Sequence, residues 1–438
     1  MNEEQGPQLA RSGRRVAIVD GCRTPFVRSG TAFKDMSAID LGTIAVRELV
    51  DRAALDGDQV DEVIYGTVVH NVQAPNIARE VALQAGLPAT IPAFTVSRAC
   101  SSANQAITSG AEKIVLGNGD VVIAGGAESL SDIPILVSKR LSDRLVQASK
   151  AKTLGQRVKA FAGFRPKELV PSTPAIAEYS TGESMGEAAE RMAKENEIPR
   201  QEQDRWALRS HELAAQGTAD GRLTAEIVPT YVPPHYDQVV DSDNGIRTDT
   251  NLEKLAELRP VFDRRYGSVT AGNASPLTDG ASAVLLMSED AARALGYEPR
   301  AYIRAWAYAA LDPAGQLLQG PAFAVPKALD RAGVTMQDIE LWEMHEAFSA
   351  QVLSNLQALD SDAFARDQLG RSAKVGIPPE DRINVMGGSI AIGHPFGGTG
   401  GRLTTTLVNE MKRRGAGLGL ISVCAAGGLG FAMVVEGA

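Results

Sequence analysis

Short apolar runs alternate along the chain with longer stretches in which apolar residues recur every three or four positions. Val16–Val19 reads as a strand and Asp20–Pro25 as a turn after it; Leu41–Ala54 has helical spacing, and Val60–Tyr65 is again a strand. Strands alternating with helices predict βαβ units and a sheet covered by helices on both faces, so the expected class is α/β.

The pattern then repeats. A strand at Phe94–Val96 leads through a turn of small residues to a helix at Ala103–Leu116, a buried strand at Val121–Ala124 and Gly125-Gly126. Towards the C-terminus a helix at Leu403–Lys412 leads to a strand at Leu418–Val423, then Ala425, Ala426, Gly427 and Gly428. Each series closes on a similar strand, Gly280–Leu286 in one and Gly430–Val435 in the other. Two related halves are therefore expected, residues 15–132 with 259–292 and residues 293–438, after a disordered tail at 1–14 and around an insertion at 133–258. The tail lacks the apolar core of a secretory signal, which suggests a cytoplasmic protein.

Helix-forming and polar residues fill the insertion, interrupted by Pro171, Pro174, Pro229, Pro233 and Pro234. Residues 139–167 carry nine Lys or Arg against one acid, Asp143, with Val137, Leu141, Leu145, Leu154, Val158 and Phe161 at helical spacing. Such a segment can lie on an anionic membrane surface. A solvated helical hairpin packed on its own protein is the simpler reading.

With 438 residues, 44% of them hydrophobic and 22% charged, the chain has room for two or three packed units and an ordinary globular balance. No apolar run approaches the roughly 20 residues of a membrane-spanning helix. The net charge of -9 disfavours nucleic acid as a partner but leaves room for a phosphorylated ligand at a local basic patch. Three widely spaced cysteines, Cys22, Cys100 and Cys424, argue against disulfides and against a cysteine-rich zinc site, and no metal is expected. Cys22 should pack near its turn.

Four segments carry candidate chemistry. Cys100, in Val96–Ala106, falls at or near a helix N-terminus, where unpaired N–H groups and the helix dipole favour a thiolate. Glycines surround His394 in Asn384–Gly401, a tightly turned loop that lets the backbone approach a ligand. Cys424 ends a buried strand before a glycine run, the usual place for a site in an open α/β sheet. Trp342–Phe348 is again a strand end running into a helix.

In this order and at these separations, the four segments resemble those of the thiolase family. Thr270–Ser275 is similar to that family's coenzyme A segment. One departure refines the likeness: His345-Glu346-Ala347-Phe348 has histidine where the family typically has asparagine. That segment, Leu208–His211, Asp243–Arg247 and Cys424–Gly428 resemble the thiolase β-subunits of fatty-acid oxidation trifunctional complexes.

The resemblance implies a duplicated thiolase fold: two βαβαβαββ halves in five layers, α-β-α-β-α, with a helical loop-domain insertion. It implies an acyltransferase of fatty-acid β-oxidation that cleaves 3-ketoacyl-CoA with CoA, giving acetyl-CoA and a shortened acyl-CoA through an acyl-cysteine. The alternative is a biosynthetic enzyme condensing two acetyl-CoA molecules to acetoacetyl-CoA. A ketoacyl synthase shares the fold but lacks a second reactive cysteine such as Cys424, and an inert acyl-CoA binder would not keep the whole set.

By the same resemblance Cys100 is the nucleophile, His394 its base and Cys424 the second acid and base. His345 would hold a water at the thioester oxygen, and the N–H groups of Cys100 and Ala426 would serve the acyl-cysteine oxygen. Ser275 and Arg247 would contact CoA, a co-substrate, Arg247 being also a candidate for a plain solvated arginine; no permanently bound cofactor is implied. Met185 and Phe348 would border the acyl pocket, Met185 being also a candidate for plain core packing. The implied partners are CoA thioesters, a second copy of the chain in a dimer or tetramer, with His70 and Asn71 either near its interface or on a plain surface loop, and an α-subunit with hydratase and dehydrogenase activities.

Overall fold

The computed structural model describes residues 13–171 and 177–438. The expected tail lies outside the described residues up to position 12; Arg14 is already anchored, donating to the Ile114 carbonyl at 2.8 Å and pairing with Asp120. Two compact units emerge, 133–176 and the remainder, so the second part of the expected insertion, 177–258, packs with the halves.

In the larger unit nine strands form one path. Their order is Leu341–Met344, Leu418–Ala425, Leu429–Gly437, Ala301–Ala310, Val16–Arg23, Thr278–Ser288, Val121–Glu128, Glu62–Gly66 and Ala93–Val96. The path is two-fold repetitive about its centre. Outwards from Val16–Arg23 and from Ala301–Ala310 come two antiparallel neighbours and then a parallel one. Thr278–Ser288 and Leu429–Gly437 occupy equivalent places, as the matching sequence runs require. The two halves meet along a short seam, Val16–Ile18 against Ala301–Ile303.

Strand periodicity of two sorts the side chains into three cores. Val122, Ala124, Ile421 and Phe431 face a middle layer built from Ile107 and Ile114 of the Ser102–Leu116 helix and Leu403, Leu407 and Met411 of the Thr399–Arg414 helix. Val63, Ile123 and Leu285 face outwards onto Leu41, Val46 and Leu49 of the Ala38–Arg52 helix. Ala307, Leu420 and Val434 face outwards onto Val325 and Leu329 of the Gly320–Ala332 helix and Val352 and Leu359 of the Ser349–Leu359 helix. Helix, sheet, helix, sheet, helix is the expected five-layer order. Each fully buried Leu, Ile or Val contributes about 1.5–3 kcal/mol to it.

One local expectation fails instructively. Asp20–Pro25 is polar and looks like a turn, yet the strand runs on to Arg23 after a register shift between Ile18 and Asp20. Arg23 is fully buried and pairs with Glu226 at 2.7 Å and Asp243 at 2.6 Å, which satisfies charges that a strand could not otherwise bury. Cys22 accordingly sits inside a strand, its Sγ donating to the Ala45 carbonyl at 3.2 Å, and not beside a turn.

The smaller unit contains helices Lys139–Lys150 and Leu154–Ala160. Arg144 closes the hairpin, donating to Glu168 at 2.9 Å and to the carbonyls of Ala160 and Ala162. Leu141 is buried, whereas Leu145, Leu154 and Val158 are exposed. No described helix is long and apolar enough to cross a membrane.

Candidate active site

Cys100 lies between the Ala93–Val96 strand and the Ser102–Leu116 helix, in a turn held by its own small side chains. Ser102 Oγ accepts from the Arg98 N–H at 2.8 Å and donates to the Ala99 carbonyl at 2.7 Å. Ala99 is forced to a φ of 46°, a conformation costing about 1–2 kcal/mol for a residue with a Cβ. The thiol meets a different environment from the one its helix position suggested. Cys100 precedes the N-cap, Ser101, and burial pushes its thiol up to about 12 against hydrogen bonds from the Ala426 N–H and its own N–H; the Glu128 carboxylate raises it further. The resting group is a neutral thiol.

His394 comes from the glycine loop, which lies flat against the first half. A Cβ on Gly126 would stand 2.0 Å from the Gly397 carbonyl oxygen, and one on Gly393, at a φ of 119°, would stand 2.5 Å from Thr278 Cγ2. His394 Nδ1 is 2.6 Å from Thr399 Oγ1, and its buried Nε2 has no partner among the described residues. Burial, helped by the Arg402 charge, pulls the imidazole down to about 3, so it too is neutral.

Glu128 ties this loop to the sheet. Its buried carboxylate accepts from Thr67 Oγ1 and from the N–H groups of Val68, Val69 and Gly397, at 2.9–3.1 Å. Burial outweighs these bonds and raises the carboxyl to about 7. The loop it holds continues to His70, which is exposed, and Asn71, whose Oδ1 accepts from the Gln73 N–H at 2.9 Å.

His345 follows the Leu341–Met344 strand, and its ring lies 4.1 Å from that of His394. Its Nδ1 is 2.9 Å from Ser389 Oγ, and Nε2 is again buried without a partner among the described residues. Burial, then the neighbouring His394 and Arg402, hold it well below the usual histidine range. The next residue, Glu346, braces the segment by accepting from Trp206 Nε1, Ser210 Oγ, Asn384 Nδ2 and the Ile390 N–H.

The Cys100 Sγ and one ring nitrogen of each histidine lie within 4.8 Å of one another. That trio also has the donor set of a soft-metal site, which the sequence spacing hides because its members come from three separate elements. Cys424, buried at the end of its strand, reaches the same place. Burial and the Cys100 sulfur drive its thiol well up, opposed by its own N–H and that of Ala347. Met185 and Phe348 pack against the apolar cluster that contains Cys424. Ser275 adjoins them, its N–H donating to the Ala347 carbonyl at 2.9 Å. Arg247 lies elsewhere, beside His211, whose Nδ1 accepts its N–H at 3.2 Å.

Several residues at the site escaped the sequence reading. Glu128 is the acid that ends an apolar strand, a visible but ambiguous signal. Ser389 and Thr399 lay within the glycine loop without a distinguishing pattern, and nothing local to Arg402 signals that it is fully buried. Arg28 was overlooked too. Its guanidinium is lowered by burial and by the nearby charge of Arg247.

Comparison with known proteins gives the family. Residues 16–290 match the family model of the thiolase N-terminal domain, and residues 297–437 that of the thiolase C-terminal domain. A 3-ketoacyl-CoA thiolase of Yersinia pestis is 50% identical over 98% of both chains, and one of Pseudoalteromonas translucida is 51% identical over 99% of this chain and 100% of that one. Among solved structures, Bacillus anthracis acetyl-CoA acetyltransferase superposes with a TM-score of 0.84 at 34% identity, covering 97% of this chain and 99% of that one. Human mitochondrial 3-ketoacyl-CoA thiolase in complex with CoA gives 0.82 at 32% identity, covering 99% and 100%. With both family domains matched in order along nearly its whole length, the chain belongs to the thiolase family.

Proposed function

We propose that the protein is a 3-ketoacyl-CoA thiolase in which Cys100, His394, Cys424 and His345 carry the reaction. The observation that carries this reading is the convergence of the Cys100 sulfur, both histidine rings and the Ala426 N–H. His394 Nε2 takes the Cys100 proton as the sulfur attacks the 3-keto carbon, and the N–H groups of Cys100 and Ala426 receive the charge developing on that oxygen. The bond between C2 and C3 then breaks. Its electron pair leaves as the enolate of acetyl-CoA, with charge on the thioester oxygen met by His394 and a water held by His345, and Cys424 supplies the proton to C2. In the second half the Cys424 thiolate takes the proton of incoming CoA, whose sulfur displaces Cys100 from its acyl group. Cys100 recovers its proton from His394.

Cys100 and His394 are both neutral at rest, so attack and proton transfer proceed together when substrate arrives. Ser275 would contact the pantetheine arm, and Arg247, with Arg28 near it, the adenine end of CoA. Met185 and Phe348 would line the acyl pocket. Degradation is favoured over condensation of two acetyl groups by the 50–51% identity to 3-ketoacyl-CoA thiolases over nearly the whole chain. A cytoplasmic dimer or tetramer is proposed as the working form. The exposed apolar and basic side chains of residues 139–167 support association with a hydratase and dehydrogenase α-subunit or with anionic lipid.

Steady-state thiolysis of acetoacetyl-, 3-ketooctanoyl- and 3-ketohexadecanoyl-CoA tests the function. Mass spectrometry tests the nucleophile, with an acyl adduct expected on Cys100. Absence of turnover on all three substrates, or an adduct on Cys22 or Cys424, would sink the reading.

A further inference from the structure

The two histidines at the centre of the site are the same residue type, yet the roles proposed for them require opposite protonation of the atom that faces substrate. A base needs a bare nitrogen, and a donor to a bound water or oxyanion needs an N–H. We infer that Arg402 and Ser389 are positioning residues that fix His345 in the tautomer protonated on Nε2, while Thr399 fixes His394 in the tautomer protonated on Nδ1. This rests on the function proposed above.

The inference follows from counting hydrogens. Arg402 is fully buried in the middle helix layer and can only donate; its Nη1 lies 3.2 Å from Glu343 Oε2 and its Nη2 donates to Ser389 Oγ at 3.0 Å. The other partner of Ser389 Oγ among the described residues is His345 Nδ1, at 2.9 Å. A hydroxyl has one hydrogen. If His345 Nδ1 were protonated, the serine oxygen would receive two donors and its own hydrogen would point at nothing in a fully buried place. With Nδ1 bare, the bonds run in one direction, Arg402 to Ser389 to His345, and each group on the path is used. The penalty for an unmet buried hydroxyl biases this choice by roughly tenfold or more.

At His394 the direction reverses. Thr399 Oγ1 has an acceptor for its hydrogen in the Pro395 carbonyl at 3.2 Å, and in that arrangement its oxygen accepts from His394 Nδ1 at 2.6 Å, the pairing that a base on Nε2 requires. His394 Nε2 is therefore a bare lone pair and His345 Nε2 carries a hydrogen. Both atoms are buried and lack a partner among the described residues, which leaves them for substrate. Asparagine at position 345 would present a fixed N–H and need no such device; a histidine there has to be told which nitrogen to protonate.

That contrast supplies the test. Steady-state thiolysis is measured for wild type, Ser389→Ala, His345→Asn and the double variant. Ser389→Ala should lower kcat about ten- to a hundredfold, with KM changed less than about twofold, because the donor acts on developing charge. In the His345→Asn background the same substitution should change kcat less than about threefold. An equal loss in both backgrounds would assign Ser389 a merely structural role and overturn the proposal. Should His345→Asn not fold, ring-15N NMR decides on the wild type, whose five histidines keep the spectrum simple. His345 should show a pyridine-type Nδ1 and His394 a pyridine-type Nε2; the same pattern on both rings refutes the assignment. A wild type that turns over no 3-ketoacyl-CoA would defeat the functional reading while the NMR still judged the tautomers.

Discussion

The protonation state of the resting nucleophile can be read from the pH dependence of its alkylation. Burial places the Cys100 thiol at about 12 and the His394 imidazole at about 3, so the pair holds its proton on sulfur across the working range. At neutral pH a thiol at that value is thiolate to about one part in a hundred thousand, against about 3% for an ordinary cysteine of pKa about 8.5, a roughly 3000-fold deficit. Iodoacetamide reacts with the thiolate. Its rate on Cys100 should therefore climb about tenfold per pH unit from about pH 6 to 9, without a plateau. Cys22, enclosed in its strand and raised still higher by burial, should stay unlabelled, which makes the assay specific. Mass-spectrometric timing of the Cys100 adduct in a pH series measures the slope. His394→Ala should leave that slope unchanged while abolishing turnover, because the histidine accepts the proton only as substrate is attacked. A rate already flat near neutrality would mean a preformed thiolate and imidazolium, and would refute the argument from burial.

Other outcomes follow from the same geometry. Glu128 stands at about 7 in the folded protein against 4.5 ordinarily, so its contribution to stability is complete below about pH 4.5 and is lost as pH rises through about 7. Thermal unfolding of wild type against Glu128→Gln should show about 3 kcal/mol of that pH dependence vanish in the variant, and parallel curves would contradict it. Cys424→Ser should collapse turnover while an activated acyl donor still loads Cys100 stoichiometrically; failure to load would give Cys424 an earlier role. Met185→Trp should reduce kcat/KM for 3-ketohexadecanoyl-CoA more than for acetoacetyl-CoA, and an equal effect on both would remove Met185 from the acyl pocket. Replacing Lys139, Arg140, Lys150 and Lys152 with Glu should weaken sedimentation with anionic vesicles or co-purification with an α-subunit, most at low salt, and leave short-substrate turnover intact.

Much of the architecture was legible because buried strands and amphipathic helices leave periodic signals. Val121–Ala124 and Leu418–Val423 announce themselves, and their matching sequels reveal the duplication. The four chemical segments were legible because glycines crowd two of them, around His394 and after Cys424, and the other two set Cys100 and His345 where a strand gives way to a helix. What stayed hidden depends on long-range satisfaction of charge. Arg23 looks like a turn residue until Glu226 and Asp243 neutralise it, and Arg402 resembles a surface arginine until Glu343 and Ser389 enclose it. The state of Cys100 was hidden for the same reason: its helix position is local, whereas the burial that keeps the thiol protonated is contributed by the whole fold.

The short seam between the halves has a consequence for how this protein matures. Cys100 belongs to the first half, whereas His345, His394 and Cys424 belong to the second, and the strands of the two halves pair with each other over three residue pairs, Val16–Ile18 against Ala301–Ile303. On the roles proposed for these residues neither half owns a working set, so a chain with one half folded should be chemically silent. Thr278–Ser288 must also return across more than two hundred residues to pair with Val16–Arg23, a contact whose closure is slow. Turnover therefore serves as a clock for refolding: its first appearance marks docking of the halves, later than any signal from helix content, and no fraction of activity belongs to an intermediate.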